Sequence, residues 1–301
     1  MNTAHERTSD ERARFRSLIQ LNAAVVLFGG PALFAKLIEL PAPYVIFGRS
    51  LVAALALALF VLVTRRGFRP AKRRDLAILV GSGVLLAAHW VSYFHAVQVS
   101  TVAVGTISLH TYPIITVLVE PLVDRTRVKP PDVLLALIVL VGAVVLVPDF
   151  SLASGTTRGV LWGVGSAFIF TARNLVVRRF VQRYSGPFVM FCQTAVTALV
   201  LLPFVWSTGG LGATARWWPH FLLLGTAFTA VNQSLYASSL RHLSAKTVSI
   251  IATLLPLYTT VLAVFILGEI PTARTIVGGA IVIVAVMAET LRAARRPRRA
   301  P

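Results

Sequence analysis

Apolar residues in this chain neither alternate with polar ones nor keep to one helical face. They run on for about 20 residues at a time, and the charged letters collect in short links between the runs. That length is what an α-helix needs to cross the hydrocarbon core of a bilayer. Ten such runs follow one another, at 18–38, 42–63, 76–96, 102–123, 132–147, 159–179, 187–206, 219–240, 247–267 and 273–291. The fifth is the shortest, bracketed by Pro130, Pro131 and Pro148, residues that suit helix ends. The pattern predicts an all-α integral membrane protein with ten transmembrane helices and no soluble domain between them.

The runs repeat. YFHAVQVSTVAVGTISLHTYP, from Tyr93 to Pro113, has the same tyrosine-to-proline spacing as YASSLRHLSAKTVSIIATLLP, from Tyr236 to Pro256. At the same offset of 143, Thr116 falls on Thr259, and Val139 on Val282. Upstream, FGRSLVAALALAL (Phe47 to Leu59) aligns with FCQTAVTALVLLP (Phe191 to Pro203) at an offset of 144. Matching apolar letters mean little, but paired prolines inside apolar runs mark a duplication, with halves 1–150 and 151–301. An odd number of spans in each half turns the second over, so the reading is two inverted five-helix repeats. Secondary transporters use this arrangement because mirrored halves open alternately to either side of one central site. Pro113 and Pro256, placed near the middle of their runs, are expected to bend both helices at equivalent points.

Charge fixes the expected orientation. With the N-terminus in the cytoplasm, 23 of the 29 Lys and Arg residues fall on the inner side and only Arg158, Arg216 and Arg274 on the outer side. This is the asymmetry of the positive-inside rule, and it places both termini in the cytoplasm and the protein in the cell inner (plasma) membrane. The formal charge of +18 is thereby accounted for without nucleic acid, and the basic links and C-terminal tail are expected to meet anionic lipid. A chain that is 56% hydrophobic and 13% charged, with mean hydropathy +0.77, has no soluble core large enough for its apolar surface. The single cysteine, Cys192, rules out an intrachain disulfide.

Polar groups at membrane depth are costly and so mark candidate sites. His89 and Tyr93 lie one turn apart in the third run with Trp90 beside them, and Asn232, Gln233 and Tyr236 occupy the matching positions of the eighth. Such groups can hydrogen-bond a polar head and stack an apolar body, although a helix–helix hydrogen bond or an interfacial aromatic belt also accounts for them. In the fourth run Thr106, His110, Pro113, Val117 and Glu120 recur at helical spacing. There His110 is either a proton carrier or a structural pair, and Glu120 continues the stripe. Lys36 and Arg49 flank Glu39 and read as a local ion pair or as a cationic rim for a substrate carboxylate; Arg173 occupies the inverted position of Lys36, and Gln193 that of Arg49. Trp162 is a further cavity wall or a lipid-facing anchor.

Several local marks resemble those of the drug/metabolite transporter superfamily in its EamA-like branch. They are the glycine pair after Phe28, Lys36 near the end of the first run, FGRSLVAAL in the second, the Tyr93 and Pro113 pair, and LGEIPT from Leu267 to Thr272. VEPLVDRTRV departs from the corresponding ending in the first half. The resemblance implies a central cavity between two halves and movement of small metabolites, amino acids or amphipathic compounds, often outward. No P-loop, dinucleotide loop, His-Glu-x-x-His, Cys-x-x-Cys or Gly-x-Ser-x-Gly pattern occurs, so the reading is a transporter without cofactor, metal or catalytic residues. An intramembrane enzyme or a membrane scaffold is the competing class.

Overall fold

The computed structural model describes residues 2–64, 73–148, 150–178, 184–232 and 251–295, and these are helical with no strand among them. In the first half, α1 is Asn2–Leu37, α2 Ala42–Thr64, α3 Arg73–Val99, α4 Val102–Leu109, α5 Tyr112–Val123 and α6 Pro130–Leu146. In the second, α7 is Gly155–Arg178, α8 Gly186–Ser207, α9 Gly210–Ala215 and α10 Trp218–Gly225, which runs into a π-helical segment Thr226–Val231. The last two are α11, Leu255–Leu267, and α12, Ala273–Arg295.

Among the described residues, seven stretches are long and apolar enough to cross a membrane, one of them, Val102–Val123, being α4 and α5 together. Three shorter apolar helices, Pro130–Leu146, Trp218–Val231 and Leu255–Leu267, stand where the sequence places its fifth, eighth and ninth spans. The eighth and ninth expected runs lie partly outside the described residues. The outer surface of the bundle is apolar: Phe265, Leu55, Leu199 and Val284 are all exposed. Its interior holds polar groups such as Ser82, Gln193, Thr197 and Thr259, which are wholly buried. A molecule built this way is solvated by lipid, and the chain is a multi-pass membrane protein.

Helix pairing crosses the two halves. α2 packs along α8, and α6 along α12. α3 packs on both α7 and α8, while α10 and the π-helical segment pack on α2; α4 lies against α7, and α11 against α1. Small residues permit the closest approaches. A Cβ at Gly83 on α3 would sit 2.6 Å from the Val196 Cβ on α8, and one at Gly225 on α10 would sit 2.7 Å from the Val52 Cβ on α2. At one end of the bundle the links are tied together. Gly268, at φ +69° in the left-handed region, ends α11 and turns the chain so that the Glu269 N–H donates to the Ala263 carbonyl (3.3 Å). The Glu269 carboxylate then accepts from the Val102 N–H at the start of α4 (2.8 Å) and pairs with Lys36 (3.7 Å). Lys36 also donates to the Ser100 carbonyl (2.7 Å), and Gln98 bridges the turn between α1 and α2.

Candidate functional site

Pro113 and Pro256 are not mid-helix bends, as the length of the apolar runs suggested. Each sits in the first turn of a new helix, α5 and α11, just after a break at His110–Thr111 and at Thr253–Leu254. Proline has no N–H, so the carbonyl four residues earlier loses its helical donor, and the chain starts a fresh helix instead of curving through. Local bonds repair the breaks in both halves. The Thr111 N–H donates to the Ser108 carbonyl and the Leu254 N–H to the Ile251 carbonyl. Beyond each proline one threonine hydroxyl bonds back one turn: Thr116 to the Tyr112 carbonyl and Thr259 to the Leu255 carbonyl, both at 2.8 Å.

Both breaks open onto one cavity of about 340 Å³, with Leu109, His110 and Tyr112 on one side and Ala252 and Leu255 on the other. α3 contributes His89, Trp90 and Tyr93 to its wall, α2 contributes Arg49, and α7 contributes Phe170 and Arg173. Aromatic contacts stiffen this wall: the His89 ring lies parallel to Tyr93, Phe170 tilts onto His89 at 4.6 Å, and Tyr112 meets Phe170 edge-on. The Tyr93 hydroxyl bonds Thr106 on α4 (2.9 Å). Arg49 is buried. Its Nε donates to the Thr229 hydroxyl (3.1 Å), and its guanidinium lies 4.1 Å over the Trp90 ring. Arg173 donates to Asn174 (3.1 Å) and to the Gln193 amide oxygen, leaving its Nε buried without a hydrogen-bond partner among the described residues.

The structure thus brings His89, Trp90, Tyr93, His110, Arg49 and Arg173 to one cavity. Other expected site residues lie elsewhere. Trp162 is half-exposed and meets His95 edge-on, outside the cavity. Asn232 is wholly buried against α1, its amide oriented to donate to the Ala24 carbonyl (2.9 Å) and accept from the Phe28 N–H (3.1 Å), so it locks helices together. The break at His110–Thr111 interrupts the helical register that would have carried one stripe from Thr106 to Glu120, and Glu120 does not line the cavity. Lys36 is not a cavity rim and does not pair with Glu39; it belongs to the tie with Glu269 at the end of the bundle. Nor is Arg173 its counterpart, since only Arg173 faces the cavity. Gln233 and Tyr236 lie outside the described residues. The sequence reading missed Phe170, Phe228 and Thr229, of which only Thr229, a polar residue in an apolar run three positions before Asn232, carried a signal.

A polar, aromatic-walled cavity at paired helix breaks inside an apolar bundle belongs to the class of membrane transporters that take small solutes. Comparison with known proteins sharpens the class. The EamA-like transporter family matches this chain twice, over residues 16–147 and again over 157–289, and the chain belongs to that family. The pseudopaline exporter CntI of Pseudomonas aeruginosa (strain UCBPP-PA14) is 28% identical over 236 residues, which cover 78% of this chain and 82% of that protein. An uncharacterized transporter of Bacillus subtilis, YxxF, is 25% identical over 281 residues, covering 91% and 89% of the two chains. A solved crystal structure shares the fold with a TM-score of 0.61 over 95% of this chain and 99% of that one, at 20% identity.

Proposed function

We propose that this protein is a secondary transporter of a small organic solute, an amino acid or amphipathic metabolite, moved outward by alternating access between two inverted five-helix repeats. The observation that carries the reading is the single cavity onto which both helix breaks open. Discontinuous helices at corresponding positions of two halves, with a site at their junction, are how inverted-repeat transporters build a solute site at membrane depth. Cross-half packing supports the twofold relation. Exchanging the halves turns the α3–α8 contact into that of α10 with α2, and the α5–α7 contact into that of α11 with α1. The close approaches obey the same exchange, since Gly83 and Gly225 differ by 142 positions, and Val52 and Val196 by 144. Both matches to the family, at 16–147 and 157–289, fall in line with halves 1–150 and 151–301.

Outward movement follows from the similarity to the exporter CntI, and cytoplasmic termini in the inner membrane follow the Lys and Arg distribution. The basic link 65–72 and the tail 296–301, proposed to meet anionic lipid, lie outside the described residues. Proton coupling is assigned to His110, which lines the cavity at the first break. The reading is tested with purified protein in sealed liposomes and a panel of labelled amino acids, nucleosides and cationic dyes. Protein-dependent exchange of one chemical class supports it, whereas turnover of a lipid or peptide with no solute crossing would favour an intramembrane enzyme. Replacing His110 with Gln should flatten the pH dependence of exchange; an unchanged profile removes the proton from the mechanism.

A further inference from the structure

The cavity is cationic, and among the described residues no acid balances it. Two guanidinium groups, Arg49 and Arg173, line it, and no carboxylate with a described side chain does. The chain has only eleven acids, and four of them are engaged elsewhere. Asp132 and Glu289 pair with Arg292, Glu269 with Lys36, and Asp75 accepts from the Tyr184 hydroxyl. Outside the described side chains the only acids are Asp149, in the link between α6 and α7, and Glu6, Asp10 and Glu11, at the start of α1. The two arginines are held instead by neutral groups, the Thr229 hydroxyl and the Trp90 face for one, the Asn174 and Gln193 amides for the other. Neutral dipoles orient a guanidinium without cancelling its charge, and a cation in low dielectric without a counter-charge is costly.

The two histidines complete the pattern. The Ser166 hydroxyl donates to the His89 carbonyl (2.8 Å), so its oxygen accepts from His89 Nδ1–H (2.8 Å). His110 Nδ1 lies 2.8 Å from the Thr106 carbonyl, which can only accept. Both neutral imidazoles therefore carry their proton on Nδ1, leaving Nε2 as an acceptor with no partner among the described residues. Guanidinium donors for an anion, imidazole acceptors for an N–H or O–H, and the Trp90, Tyr93 and Phe170 rings for an apolar body thus face the same space.

We propose that the transported solute is an amphipathic organic anion whose carboxylate supplies the counter-charge missing at Arg49 and Arg173, with an amine or hydroxyl hydrogen given to His89 or His110. This rests on the transporter reading above and names its substrate class. Guanidinium and carboxylate match in planar, two-point geometry, which ammonium and imidazole do not offer. The same charges reject cations, so selection works by repulsion as well as by attraction.

The test uses the full chain in detergent for binding and in liposomes for exchange, with N-benzyliminodiacetate as the anion, its diamide as the uncharged analogue and phenylalaninamide as the cation. The anion is expected to raise the melting temperature, and the diamide and phenylalaninamide are not. Arg49→Gln and Arg173→Gln should each weaken anion binding by roughly thirtyfold. Gel filtration and melting without solute report whether these variants fold, and discrimination among the three probes on the wild-type chain needs no variant. Equal protection by the diamide, or protection by the cation alone, overturns the proposal. Exchange of an uncharged or cationic solute without anion binding would overturn it while leaving the transporter reading intact. Anion binding lost in the arginine variants, with no solute crossing the bilayer, would uphold the anion site and contradict transport.

Discussion

A polar side chain buried in a membrane helix either locks helices together or meets a solute, and its partner decides which. Asn232 reaches the two ends of what a regular α1 would use as one rung, the Ala24 carbonyl and the Phe28 N–H, and so spends its hydrogen bonds on structure. Asn232→Ala should destabilise the protein by about 1 kcal/mol, read as a lower melting temperature with anion affinity unchanged in the folded fraction. Trp162→Leu, facing out of the bundle, should leave exchange unaltered. The sequence identified which polar residues were costly but not which way they faced. Successive helical positions rotate by about 100°, so a small error in phase moves a residue from cavity to helix contact or to lipid. Arg49 and Arg173 were legible as cations that needed a reason to be there, whereas their convergence on one cavity depends on how α2 and α7 pack and could not be read from spacing.

At the level of elements, the paired prolines were legible and their effect was not. Proline inside an apolar run reads as a kink, but here the last residues before it, His110–Thr111 and Thr253–Leu254, leave the helix altogether and the chain restarts. Side-chain bonds from Thr111, Thr116 and Thr259 to nearby carbonyls make the break tolerable, and such local repairs depend on geometry more than on composition. The fifth helix is short, and hydrophobic length in the eighth and ninth runs does not reveal the π-helical turn at Thr226–Val231 or the break at Thr253–Leu254. Glycine gives the sharpest element-level test. Gly83→Leu and Gly225→Leu force α3 from α8 and α10 from α2, and each should cost about 1–3 kcal/mol, seen as a lowered melting temperature. Gly81→Leu, where a Cβ meets nothing within 4 Å, should be tolerated.

Across the whole molecule, the tie made by Glu269 is not repeated by the residue at its equivalent position in the first half. Glu269 binds the start of α4 and Lys36, closing the end where α1, α3 and α11 terminate. The position 143 residues earlier is Thr126, which cannot form the equivalent ion pair. Glu269→Gln, which removes the charge and keeps the shape, should loosen this end and raise the reactivity of a cysteine placed at Ser100; unchanged reactivity would show that the seal does not depend on the carboxylate. The central claim is that one cavity, shared by two halves, is reached from each side of the membrane in turn. Its most direct measurement is labelling of Leu109→Cys, in a Cys192→Ser background, by an impermeant maleimide added to either face of sealed vesicles. Reaction from both faces, slowed by the bound anion, is the result expected; reaction from one face alone, whatever the solute or its gradient, would contradict the account.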